Sequence, residues 1–192
     1  ARALNVPINI EDAFKQILKK RTKKIDLIQV NNCYFVTGGG LGLPTETVND
    51  LNLYLSRKNS KKLNDLIYLL FVFKKIVFGY KGLKEVKVNE HNINYKQLML
   101  LSVQNQPFIG RRFRLTPYAN NYDGQFEVCI IKKPIGILSS LLMVYKIIRG
   151  KHLNSENSFQ IKGKELCLTL KEKQYFMADG ELLCRSNKFN IK

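Results

Sequence analysis

Apolar residues recur at helical spacing near the start of the chain, where Ile10, Ala13, Phe14, Ile17 and Leu18 fall on one stripe. Asn9 stands as an N-cap before the acidic pair Glu11-Asp12, and the Lys19 to Lys24 run closes the element, so a helix is expected over Asn9 to Lys20. Lys24 to Val30 and Cys33 to Thr37 read as two strands joined by Asn31-Asn32, a pair that tolerates the positive φ of a tight hairpin. The next residues, Gly38-Gly39-Gly40 and Gly42-Leu43-Pro44, suggest a flexible stretch where backbone can approach another segment or a ligand closely. As a phosphate loop it is weak, because no Lys-Ser/Thr pair comes after it.

From Thr45 to Phe78 the pattern is helical in two pieces, broken around Ser56 to Ser60. The dense run Leu66 to Phe73 is expected to be a buried helix, since Lys74 and Lys75 interrupt it before it could span a bilayer. Beyond Gly82 the texture becomes β, with runs at Glu85 to Asn89, Asn92 to Val103 and Gln125 to Lys132. One helix interrupts this series: Pro134 suits its first turn, Gly150 its end, and Ile137, Leu141, Leu142, Val144, Tyr145 and Ile148 its apolar face. Short β runs from Ser158 to Ile191 alternate with the turns Lys162-Gly163-Lys164 and Ala178-Asp179-Gly180. The expected fold class is mainly β with helices (α+β), an antiparallel β-sandwich decorated by helices. No repeat or composition break divides it, so residues 1–192 read as one domain with a helical insertion at about residues 45–82.

Composition supports a folded body. With 45% hydrophobic residues the chain can bury a core without staples. The absence of a bilayer-length apolar stretch, and an acidic, helix-like N-terminus in place of a signal core, lead to the expectation of a cytoplasmic protein. Cys33, Cys129, Cys167 and Cys184 show no CxxC or zinc-ligand spacing and are expected to be reduced core thiols. Thirty-two Lys and Arg against 15 Asp and Glu give a net charge of +17, which draws the chain towards nucleic acid or an anionic membrane face.

The two histidines, His91 and His152, have no partner at metal-ligand or triad spacing and are expected at the surface. The remaining candidates for chemistry are a pair of acidic turns in β surroundings, Tyr122-Asp123-Gly124 and Asp179-Gly180-Glu181, each of which also reads as an ordinary hairpin turn.

Their context adds meaning. The segment from Asn105 to Val128, with Asn105-Gln106-Pro107-Phe108, Leu115-Thr116-Pro117-Tyr118-Ala119 and Asp123-Gly124 before an apolar strand, resembles a signature of the diacylglycerol kinase catalytic family, which includes bacterial lipid kinases and sphingosine kinases. Ile25-Asp26-Leu27, Val30-Asn31 and Cys33-Tyr34-Phe35 resemble that family's hairpin, and Asp179-Gly180-Glu181 its C-terminal motif, in matching order and approximate spacing. The opening Ala1 to Pro7 resembles the residues just C-terminal to the family's Gly-Thr-x-Asn-Asp-Phe motif, while the Gly-Gly-Asp-Gly-Thr nucleotide loop is absent. The chain departs from the family pattern at Gly110-Arg111-Arg112, at Leu41-Gly42 and at Asn121-Tyr122, which suits a divergent substrate or reduced activity.

The resemblance implies the C-terminal domain of a two-domain lipid kinase whose N-terminal nucleotide-binding domain is not in this sequence. It implies Glu181 as the catalytic base on a lipid hydroxyl, ATP as co-substrate, and Mg2+ held by Asp123 with the main-chain carbonyls of Asn120 and Gln125. It also implies diacylglycerol or a similar lipid as substrate and a peripheral place at an anionic membrane; self-association into a homo-oligomer stays open. An alternative reading is a basic β-rich nucleic-acid-binding module, with Phe108 and Phe113 stacking bases and Arg111, Arg112 and Arg114 pairing phosphates. That module would give no reason for Asp-Gly-Glu. A non-catalytic lipid-binding relative is the third reading.

Overall fold

The computed structural model describes residues 6–7, 9–20, 22–57, 65–88, 93–109 and 113–192. The segment Phe126–Lys132 shows how the fold is built, for all but its last residue are buried. Phe126, Val128 and Ile130 enter one apolar core, whereas Cys129 and Ile131 enter another. A strand apolar on both faces needs a layer on each side.

Among the described residues, nine strands form one antiparallel sheet: β1 (Ile28–Val30), β2 (Cys33–Phe35), β3 (Gly38–Gly42), β4 (Leu83–Val88), β5 (Ile93–Gln104), β6 (Phe126–Lys132), β7 (Ser158–Gly163), β8 (Leu166–Ala178) and β9 (Glu181–Ile191). Their order is β2-β1-β9-β8-β3-β5-β6-β7, and β4 also lies between β8 and β5. Side chains from strands near both ends of this order meet in one core, so the sheet curls over on itself. At its centre the Phe176 ring sits against Phe35 and Phe189, with centroids 5.7 and 5.6 Å away. Each such buried side chain contributes about 1.5–3 kcal/mol. This is the expected antiparallel, helix-decorated sandwich.

The second core lies outside the sheet. Helices α2 (Leu43–Arg57), α3 (Asp65–Phe78) and α4 (Ile137–Ile148) bring Leu43, Val72, Ile76, Met143 and Ile147 onto Met99, Leu100 and Ile131. A register shift against β6 between Leu98 and Leu100 lets Met99 and Leu100 both join this outer cluster before strict alternation resumes.

Strands β3 and β4 occupy one lane. Gly42 faces Leu100 on β5, and Leu83 faces Leu98, so the chain leaves for α2 and α3 and returns almost where it departed. Both strands also pair β8 on the other side, at Met177–Ala178 and at Leu168–Thr169.

Several expectations need correction. The glycine run is a buried strand, not a flexible stretch: a Cβ on Gly39 would stand 2.6 Å from the Phe176 ring and 2.7 Å from the Ala178 Cβ, so close strand packing explains the missing side chain. Leu66, Leu70 and Phe73 of α3 are 62%, 57% and 51% exposed, because the sheet supports only one side of that helix. In α4 the inward residues are Ser140, Met143 and Ile147, while Ile137, Leu142 and Tyr145 face out; a helix apolar on most sides gives no phase in its sequence. His152 is fully buried in a short 3-10 turn, where its Nε2 reaches the Leu115 carbonyl oxygen at 2.9 Å.

Other readings hold. α1 (Ile10–Leu18) is capped by Asn9, whose Oδ1 accepts from the Glu11 N–H at 2.9 Å, and none of its residues is buried. Asn31 has φ 51, as its hairpin requires. Of the four cysteines expected in the core, Cys129 is buried, whereas Cys33, Cys167 and Cys184 are half-buried. The turn at His91 and the break after α2 lie outside the described residues. Among the described residues, no helix is long and apolar enough to cross a membrane.

Candidate active site

The β8–β9 connection is a two-residue turn, with positive φ at both Asp179 (50°) and Gly180 (92°). Asp-Gly favours this geometry because both residues tolerate it. The Asp179 carboxylate then does more than turn the chain. Its Oδ2 accepts from the Val36 N–H at 2.9 Å, and its Oδ1 from the N–H groups of Thr37 at 2.9 Å and Gly38 at 3.4 Å and from the Thr37 hydroxyl. Burial pushes the Asp179 carboxyl up, but these donors outweigh it and hold the group below the ordinary carboxylate value. Its own N–H donates to the Gly38 carbonyl at 3.1 Å. Glu181 comes next as the first residue of β9, opposite Ala178, with its side chain exposed.

From this clamp a chain of hydrogen bonds leads to the other motifs. Asn105, 1% exposed, donates from its side-chain nitrogen to the carbonyls of Asp26 at 2.6 Å and Val36 at 3.3 Å, and its backbone N–H reaches the Thr37 carbonyl at 2.9 Å. Asp26 in turn donates its N–H to the Asn121 carbonyl and accepts from the Gly124 N–H through Oδ2, both at 2.8 Å. Lys23 lies over the Tyr122 ring, 3.3 Å from its centroid. Residues 22–27 are thus laced to the Asn120–Gln125 turn, and that turn is linked through Asn105 to the segment that Asp179 grips. Among the described residues, the Oδ1 of Asn105 is a buried acceptor with no hydrogen-bond partner.

Asp123 sits in this turn with both oxygens engaged. Oδ1 accepts from the Gln125 N–H at 3.1 Å, and Oδ2 receives the Lys162 ammonium at 2.7 Å. Lys162 also lies 3.7 Å from Glu127, which is bound by the Gln160 amide at 2.9 Å. Asn120 is exposed and Gln125 half-buried. Among the described residues, no group of three or more His, Cys, Asp and Glu could hold a metal ion. With both Asp123 oxygens already engaged, a cation at this turn would have to replace the Lys162 ammonium instead of adding to it.

The structure therefore joins Asp123 to the turn that carries Glu181, though it sets the two on separate turns. Sequence reasoning singled out the Asp179-Gly180 turn and placed Asp26 and Asn105 in motifs, but gave none of the three a structural role, and it missed the role of Lys162 altogether. An Asn closing an apolar run and an Asp within one were the available signals, but their partners lie far along the chain. Of the aromatics considered for base stacking, Phe113 packs edge-on against Tyr68 at 5.6 Å, and Phe108 lies 5.9 Å from the Arg114 guanidinium; residues 110–112 lie outside the described set.

A curled antiparallel sheet presenting a clamped Asp-Gly-Glu turn defines a β-sandwich-like domain. Residues 56–188 match the family model described as the YegS C-terminal NAD kinase beta sandwich-like domain, and the chain belongs to that family. Over 188 residues it is 27% identical to a diacylglycerol kinase of Bacillus subtilis (strain 168), covering 94% of this chain and 58% of the relative. A diacylglycerol kinase of Staphylococcus haemolyticus (strain JCSC1435) is 24% identical over 189 residues, with 94% and 53% covered. A crystal structure of a diacylglycerol kinase from Bacillus anthracis str. Sterne superposes on the whole chain with a TM-score of 0.65 at 20% identity, and 58% of it is covered. The chain spans little more than half the length of the curated relatives it matches.

Proposed function

We propose that this chain is the C-terminal, lipid-facing half of an ATP-dependent lipid kinase, acting on the primary hydroxyl of diacylglycerol or a similar lipid. A nucleotide-binding half of the enzyme, matching the part of the relatives that this chain does not cover, would bring ATP. Glu181 would take the hydroxyl proton as the oxygen bonds to the γ-phosphorus, while the bond from that phosphorus to the bridging oxygen breaks and ADP leaves. The observation that carries this reading is the Asp179 clamp: four donors fix the turn on which Glu181 is mounted, so a solvent-accessible carboxylate stands at a rigid sheet end. Asp179 and Asn105 would act as positioning residues. Magnesium, when bound by Asp123 and the Asn120 and Gln125 carbonyls, would supply structural charge neutralisation to the neighbouring turn.

Glu181→Gln in this chain joined to a nucleotide-binding half tests the assignment. It should keep the fold and ATP affinity and lower turnover by roughly 100-fold or more. Full turnover in that variant would show that another group takes the proton.

A further inference from the structure

Strand β9 carries one residue too many just beyond Glu181. Leu182 stands opposite Met177 of β8 and Cys184 opposite Phe176, so Leu183 has no residue facing it and forms a bulge. A bulged residue leaves the ladder locally and re-aims its neighbours. Here the Leu183 carbonyl accepts from the Cys33 thiol of β2 at 3.8 Å, across 150 residues of sequence. Cys184 comes next on the strand, and both cysteines pack against the inner core as half-buried side chains.

The two thiols adjoin. Burial pushes the Cys184 thiol up, and Cys33 pushes it further, through its charge and as a hydrogen-bonding partner. A disulfide needs two sulfurs side by side and an oxidant that can reach them. Cys129 offers neither: it is buried with its Sγ 3.5 Å from the His152 Nε2, and burial pushes its thiol up to about 12. Cys167 stands near the start of β8, opposite Asn190.

We propose that Cys33 and Cys184 form a site of reversible oxidation, with two thiols at rest and a disulfide after reaction with hydrogen peroxide. The Cys33 thiolate attacks one peroxide oxygen and the O–O bond breaks. Hydroxide leaves and takes up the proton that Cys33 had lost, and Cys33 becomes a sulfenic acid. The Cys184 sulfur then displaces the sulfenic hydroxyl, which departs as water with the Cys184 proton while the S–S bond forms. Two thiols are oxidised, and one peroxide is reduced to two waters.

The place of this bond matters for the neighbouring turn. Asp179 already grips Val36, Thr37 and Gly38 on one side of Glu181. The disulfide would fasten Cys33 on the other side, so that Glu181 lies within a closed ring. Its meaning for catalysis rests on the lipid-kinase reading; the bond itself does not.

The test exposes the 192-residue chain to hydrogen peroxide, blocks the remaining thiols and digests the protein with trypsin without reductant. The peptide holding Cys33 should be joined to the peptide holding Cys184, and dithiothreitol should part them. Closing so long a loop should raise the melting temperature by about 10 °C, and dithiothreitol should reverse the rise. Cys33→Ser and Cys184→Ser should each lose the cross-link and the shift, whereas Cys167→Ser should keep both. The cross-link is read in the native chain, so the result stands even where a serine variant fails to fold. A link from Cys33 to Cys167, links between chains alone, or oxidation of Cys33 without any link would overturn the proposal. Absence of kinase activity in the joined enzyme would sink the proposed function and leave the cross-link standing.

Discussion

The side-chain nitrogen of Asn105 donates to the Asp26 carbonyl at 2.6 Å, across 79 residues of sequence. Because the same nitrogen also reaches Val36, one buried amide ties the Asp26 strap to the segment that Asp179 holds. Asn105→Ala would leave both carbonyls with one donor fewer in a dry site. Urea denaturation should report a loss of about 1–3 kcal/mol. Asn105→Asp should cost at least as much, since it sets an anion against two carbonyl oxygens.

Asp179→Asn should also destabilise, by about 1–3 kcal/mol, because an amide N–H₂ replaces one of the two accepting oxygens. The folded-state pKa of Asp179 is depressed, so its contribution is full above the unfolded value of about 3.9 and is lost as pH falls through the folded value. The stability gap between native chain and variant should therefore be constant near neutrality and close in that acid window. A gap independent of pH would mean that the charge of Asp179 is not what holds the turn.

Lys162 and a divalent cation are expected to compete for Asp123. Magnesium should raise the melting temperature of Lys162→Ala more than that of the native chain, and Asp123→Ala should abolish the response in both. Equal responses in all three would place any magnesium effect elsewhere.

His152 gives a second pH signature. Burial drives its pKa down against the opposing pull of the Leu115 carbonyl, so the neutral ring is the folded form. Its contribution is full above the unfolded value of about 6.5 and falls as pH drops towards the folded value. His152→Gln should flatten the stability profile in that interval, read by urea midpoints from pH 7 downwards.

How much of this was legible depended on range. The Asn9 cap, the Asn31 turn and the Asp179-Gly180 turn are local events, and their residues announce them. The two faces of α4 were not legible, because Leu142 and Met143 are equally apolar and only the sheet beneath decides which one is buried. His152 looked like a surface residue for a similar reason: the carbonyl that pairs its Nε2 belongs to Leu115, in a different segment. Glycine spacing at Gly38 to Gly42 signalled close approach correctly, but not that the approaching partners were β5 and β8. At the site, the family resemblance pointed to Asp123 and Glu181, while the lacing by Asn105 and Asp26 is a product of tertiary distance.

The shared lane of β3 and β4 has a consequence for how the chain could be taken apart. Since Gly42 and Leu83 face almost adjacent positions of β5, everything between them is a detour whose two ends are already held together by the sheet. Lengthening or shortening such a detour changes loop-closure entropy only weakly. A backbone cut within it would leave β3 and β4 each paired to the same two long strands. Two fragments divided there should reassemble into the intact sheet, with α2 on one piece and α3 on the other.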